Sequence, residues 1–254
     1  MSDIGEIATY PSLKGRTIVV TGGASGIGES IVRHFAAQGS RVGFIDLNGE
    51  AGRMLAGELG AAVHFEEADL TDIDALKQAI VNIRTTLGPI TVLVNNAAHD
   101  QRHQNDEVTP DYWDERIAVN LKHQFFAAQA VMEDMKQAGG GSIINMGSTS
   151  WMIGQGGMPC YTTAKSAVQG LTRSLARDLG PHNIRVNCIA PGWIMTQRQI
   201  DLWLTPESEQ ELMNRQCLKR KLVPADMARV VLFFASDEAG ACTAQTYIAD
   251  GGWV

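Results

Sequence analysis

The run RTIVVTG at 16–22 passes directly into GASGIG, so an apolar, β-branched stretch ends in glycines and gives way to a helical pattern. A run this uniformly apolar reads as a strand buried on both faces of a sheet. The same rhythm recurs along the chain. RVGFID at 41–46, the segment 62–66, TVLVNNA at 91–97, GSIINMGS at 141–148, IRVNCIAPG at 184–192 and QTYIAD at 245–250 read as further strands. Helical patterns lie between them at about 27–38, up to Leu59, at 72–87, at 110–137, around YTTAK and at 224–236, with Gly39 closing the first. Right-handed crossovers between such strands give a mainly parallel sheet with helices on both faces. The chain is therefore expected to be α/β, a three-layer doubly wound fold on a mainly parallel seven-stranded sheet. No repeat, linker or low-complexity stretch divides it, so one domain is expected over 1–254. The segment 193–220 breaks the rhythm, with a polar helical pattern at about 205–220. It is expected to form a lid-like insertion over the sheet's C-terminal edge, where open α/β sheets bind ligands.

Of 254 residues, 44% are hydrophobic and 19% charged, enough apolar material for a self-supporting core. Lys plus Arg is 21 against 28 for Asp plus Glu, a formal charge of -7, which argues against nucleic acid or an anionic membrane as partner. Apolar runs such as VVLFFA at 230–235 are too short to cross a bilayer, and the N-terminus shows no secretory signal pattern. Cys160, Cys188, Cys217 and Cys242 are widely spaced and read as reduced thiols. A cytoplasmic protein is expected.

Between the first strand and first helix stands TGGASGIG, 21–28. Its glycines permit a sharp turn and close approach of a ligand, and the following helix offers unpaired N–H groups and a partial positive charge to a pyrophosphate. Glycine also closes ordinary βα loops, and the position after the first strand is what favours a dinucleotide. Asp46 ends the second strand, where a carboxylate accepts hydrogen bonds from adenosine ribose hydroxyls and repels a 2′-phosphate. Neither Ala24 nor Leu47 supplies a cation for such a phosphate, so NAD is expected over NADP. The other reading of Asp46 is an exposed strand-end aspartate.

YTTAK, 161–165, places a phenol and an ammonium on one helix face, four residues apart. Alone, Y-x-x-x-K is common. Here TGGASGIG, NNAA at 95–98, Ser148 with Tyr161-x-x-x-Lys165, and PG at 191–192 stand together in order. From about residue 13 onward the chain resembles the short-chain dehydrogenase/reductase family.

That resemblance implies a Rossmann-type domain with its own substrate pocket, assembled as a homotetramer. It implies a dinucleotide held by Gly22, Ser25, Gly26, Ile27 and Gly28, with Asp46 on the ribose, Asp69 and Leu70 at the adenine, and Asn95 and Ala97 along the cofactor. Pro191, Gly192, Ile194 and Thr196 would flank the nicotinamide end, and Tyr161 and Lys165 would also touch the cofactor. Asn120, Ser148, Tyr161 and Lys165 match the family's catalytic set, with Tyr161 as base, Ser148 orienting the substrate oxygen, and Asn120 holding a water that links Lys165 to solvent. Lys165 is expected to lower the Tyr161 pKa.

WDERIAVNLKH, QCLKRKLVPADMA and IADGGWV are similar to bacterial sugar dehydrogenases of that family, which implies oxidation of an aldopyranose of the xylose, galactose, arabinose or fucose type at C1, giving the lactone. Ser148 and Tyr161 would meet the sugar, and His99, Trp151, Gln155 and Trp193 are further candidates for contacting it. Alternatives are a polyol dehydrogenase forming a ketose, an acyl-thioester reductase, and a non-catalytic NAD-binding regulatory protein. The spacing of His99 and His103 invites a metal, but no third ligand is evident, so none is expected. Cys160 has no base beside it and reads as packing.

Overall fold

The structure is a computed structural model that describes residues 7–254. Seven strands, β1 (Thr17–Thr21), β2 (Arg41–Asp46), β3 (Val63–Glu67), β4 (Ile90–Asn95), β5 (Gly141–Met146), β6 (Ile184–Pro191) and β7 (Thr246–Ala249), form one sheet in the order β3-β2-β1-β4-β5-β6-β7. Every pairing is parallel. A parallel sheet needs covered faces, and β1 is buried at every position. The helices α1 (Gly26–Ala37) and α9 (Pro224–Ala235) cover one face; α3 (Ile73–Leu87), α5 (His123–Gln137) and α6 (Pro159–Leu179) cover the other. Each face carries its own apolar cluster, built around Phe35 and Phe44 on the first and Leu76, Ile80 and Leu93 on the second.

Local chemistry sets the helix starts. Asn48 caps α2 (Gly49–Leu59) by accepting from Ala51 N–H at 3.1 Å, and Asp72 accepts from Asp74 and Ala75 at the head of α3. Pro110 and Pro159 occupy the first turns of α4 (Pro110–Ile117) and α6, where a missing N–H costs nothing. Among the described residues no helix is long and apolar enough to cross a membrane.

Two elements differ from the sequence reading. The helix expected over 110–137 contains a π-helical turn, Ala118–Lys122, between α4 and α5. That turn holds Asn120, which has no exposed surface. The helical pattern expected at about 205–220 is shorter, α8 (Pro206–Arg215), followed by an irregular stretch and preceded by a separate helix, α7 (Gln197–Trp203). There the buried Gln216 amide donates to the Leu218 and Arg220 carbonyls, while Cys217 and Leu218 N–H groups bond to Gly252 and Gly251 at 3.0 and 2.9 Å. Pairing with the C-terminal tail takes these groups out of a helix.

Candidate active site

The strand order turns in opposite directions from β1, toward β2 on one side and β4 on the other. A cleft of about 1310 Å³ opens there, at the C-terminal ends of the strands. Its floor is the glycine turn. Gly22 has φ +66° and a Cβ there would sit 2.8 Å from Ala97 Cα; a Cβ on Gly28 would overlap the Gly22 carbonyl. The turn is braced from β4, because Thr21 Oγ1 accepts from Asn96 and Ala97 N–H at 3.0 and 3.1 Å and Asn96 Nδ2 donates to the Gly22 carbonyl at 2.8 Å. Ser25, the residue before α1, makes no capping bond with its hydroxyl and lines the cleft.

Asp46 closes this end. Its carboxylate accepts from Ala24 N–H at 2.9 Å and Asn48 N–H at 3.0 Å, which joins the glycine turn to the start of α2. Leu47, 69% exposed, and Leu70 offer apolar walls, and the Asp69 carboxylate is held by the Thr71 N–H and hydroxyl. Asp46 and Asp69 bring two carboxylates to the lining. At the far side Pro191, Gly192, Ile194 and Thr196 follow β6 into α7, and Gly192 is pressed against Asp250, 2.6 Å from a Cβ there.

Ser148 stands two residues beyond β5, and Tyr161 and Lys165 project from α6 into the middle of the cleft. The Tyr161 phenol hydrogen-bonds with the Ser148 hydroxyl, which also accepts from Ser150 N–H at 3.1 Å. Lys165 is 1% exposed and donates from Nζ to the Met146 carbonyl at 2.8 Å, with Nζ 5.7 Å from the Tyr161 ring centre. Burial pulls its ammonium down to about 8. Burial also pushes the Tyr161 phenol up to about 12; the Ser148 bond pulls it back and the Asp100 carboxylate pushes it further up. The expected lowering of Tyr161 by Lys165 is therefore absent in the free chain. Burial outweighs the Lys165 ammonium 5.7 Å from the ring centre and disfavours the phenolate.

A family model described as enoyl-(acyl carrier protein) reductase matches residues 22–254. A D-xylose 1-dehydrogenase of Caulobacter vibrioides is 47% identical over 97% of this chain and 98% of its own length. A "Probable galactose dehydrogenase" of Rhizobium meliloti is 48% identical over 96% of each chain. A crystal structure from Sinorhizobium meliloti, named as a "putative short-chain alcohol dehydrogenase", superposes with TM-score 0.90 at 30% identity, covering 96% of this chain and 98% of that one.

The chain belongs to the short-chain dehydrogenase/reductase family. The dinucleotide of such a dehydrogenase fits the residues present: a cradle that Cβ atoms would fill, the head of α1, and a carboxylate at the ribose end. Most of the site residues named from the sequence meet in one cleft, and three do not line it. Asn95 is wholly buried, with Nδ2 donating to Asn145 Oδ1 at 2.9 Å and to the Gln124 carbonyl at 3.1 Å. Side chains alternate along a strand, so Asn95 points into the layer beneath and Asn96 takes the cleft. Asn120 spends its amide on backbone, exchanging bonds with His99 N–H and C=O at 2.9 and 3.2 Å and donating to the Arg116 carbonyl at 2.9 Å. Both hydrogens of its amide are thereby used, and Oδ1 keeps one lone pair. Trp151 is half-buried in the turn at 149–154 and does not reach the cleft.

His99, Gln155 and Trp193 do line it. Asp100, Arg102, Arg116, Trp203 and Trp253 line it too. Trp193 Nε1 donates to Gln199 Oε1 at 2.9 Å, Gln199 Nε2 donates to Asp100 at 2.7 Å, and Arg102 stacks on Trp203 at 4.7 Å. These contacts tie α7 to the loop after β4. The indole N–H groups of Trp203 and Trp253 are buried without partners.

Proposed function

We propose that this dehydrogenase is NAD-dependent and oxidises an aldopyranose at C1 to the lactone, with Tyr161 taking the hydroxyl proton. The observation that carries this reading is the Ser148–Tyr161–Lys165 group in the cleft beside a cofactor cradle whose ribose end is carboxylate-lined. The relatives named D-xylose 1-dehydrogenase and "Probable galactose dehydrogenase" support a sugar as substrate.

Bound oxidised NAD supplies the hydride acceptor and a positive charge. In that setting Lys165 and the incoming charge favour the phenolate of Tyr161 against burial, and Ser148 holds the substrate oxygen. Gln155, His99 and Asp100 line the cleft with hydrogen-bonding groups, which suit a ligand rich in hydroxyls. Asp46 favours NAD over NADP, since a 2′-phosphate would face its carboxylate and neither Ala24 nor Leu47 is a cation. The segment 193–220 serves as the substrate lid, held by Asp100 and Arg102. A homotetramer belongs to the same reading, supported by the exposed Tyr247 and Ile248 on edge strand β7.

The test is a panel of aldoses and polyols incubated with NAD and NADP in parallel, with products identified. NADH with a lactone or its aldonic acid is expected from an aldose. A ketose from a polyol, or faster turnover with NADP, would overturn the corresponding part.

A further inference from the structure

His99 follows β4 at the cleft wall and is held at three points. Its N–H and C=O are both bonded to the Asn120 amide, and its ring Nδ1 lies 2.6 Å from Arg116 Nη1. A guanidinium has donors only and stays charged, so Nδ1 must accept. The ring proton is thereby confined to Nε2. Arg116 is 7% exposed, bonded to the Glu115 carboxylate and resting over the Tyr112 ring at 5.3 Å. Swinging it away would leave a buried charge unpaired, which is costly. The imidazole is therefore a donor of fixed direction on the wall of the cleft.

We propose that His99 is a specificity-determining residue that donates from Nε2 to an oxygen of the sugar, and that Arg116 is the positioning residue that holds it in that tautomer. The sugar contact rests on the function proposed above; the tautomer does not. Asp100, the next residue along, presents a carboxylate that accepts from Arg198 at 3.2 Å and Gln199 at 2.7 Å. Donor and acceptor thus stand on consecutive residues, which suits hydroxyls that both accept and donate. The charged groups facing the His99 ring are Arg116 and Glu115 of α4, Arg198 of α7, and Asp100. Burial first, then the two arginines, holds the imidazole below its usual range.

Two measurements test this. Nitrogen-15 histidine spectra of the substrate-free enzyme, taken from about pH 8 to about pH 5, should show His99 protonated at Nε2 and bare at Nδ1, with no titration near about 6.5. Arg116→Gln should restore mixed tautomers and move the titration upward, with burial and Arg198 still holding it below the usual range. A wild-type ring protonated at Nδ1, or titrating normally, overturns the positioning role. In initial-rate kinetics, His99→Ala should raise the KM for the sugar about tenfold, the cost of one lost hydrogen bond. The KM for NAD should stay unchanged, and His99→Gln, which keeps an N–H donor, should recover part of the loss. An unchanged sugar KM in His99→Ala overturns the contact. The spectra need no substrate, so failure of the sugar assignment leaves them intact, and failure of the His99 contact leaves wild-type turnover intact.

Discussion

At the scale of single residues, the chemistry depends on groups that the fold makes uncomfortable. Tyr161 is poorly suited to ionise in the free chain, pushed up to about 12, while Lys165 is drawn down to about 8. A base that is protonated until its cofactor arrives stays inactive until the site is assembled. Tyr161→Phe removes the proton acceptor and leaves the ring and the glycine turn in place. It should bind NAD as the wild type does, by fluorescence titration, and lose turnover by about a hundred- to ten-thousandfold. Wild-type turnover would remove Tyr161 from the proposed role. His99 and Arg116 are also residue-scale features. The pairing sits 17 positions apart in sequence, and no spacing rule brings a loop histidine onto a helix arginine.

At the scale of elements, legibility followed local pattern. Strands were readable because β-branched runs such as TIVVT are buried throughout, and the glycine turn was readable because it follows the first strand and opens a helix. Ser148, Tyr161 and Lys165 were readable as an ordered set, and the structure gathers them. What escaped was set by tertiary partners. The π turn around Asn120 has no glycine or proline to announce it; it accompanies an amide drawn into bonding the loop after β4. Asn95 and Asn96 are adjacent and chemically identical, and only the strand's exact end decides which faces the cleft. Trp203 and Trp253 line the cleft from α7 and from a tail paired with the stretch after α8, the tail bonds joining positions 35 and 33 apart (252 minus 217, 251 minus 218). Trp151, nearer in sequence to the reacting group, does not.

At the scale of the whole molecule, the core encloses ionisable groups whose neutral forms the fold requires. His34 and His123 have no exposed surface, and burial lowers both, His123 to about 3. Above about pH 6.5 they are neutral folded or unfolded and contribute no pH dependence. Below it the unfolded chain gains protons that the folded chain refuses, so stability falls as pH falls. Between pH about 7.5 and about 5.5, His123 alone should remove about 1.4 kcal/mol. Urea unfolding at the two pH values should show a lower midpoint at the acid one, and an equal midpoint would contradict the burial account. The central claim, hydride transfer from C1 of an aldose, is tested most directly with a sugar deuterated at C1 and unlabelled NAD. The reduced cofactor should carry one deuterium by mass spectrometry. Unlabelled NADH formed during turnover of that sugar would contradict it.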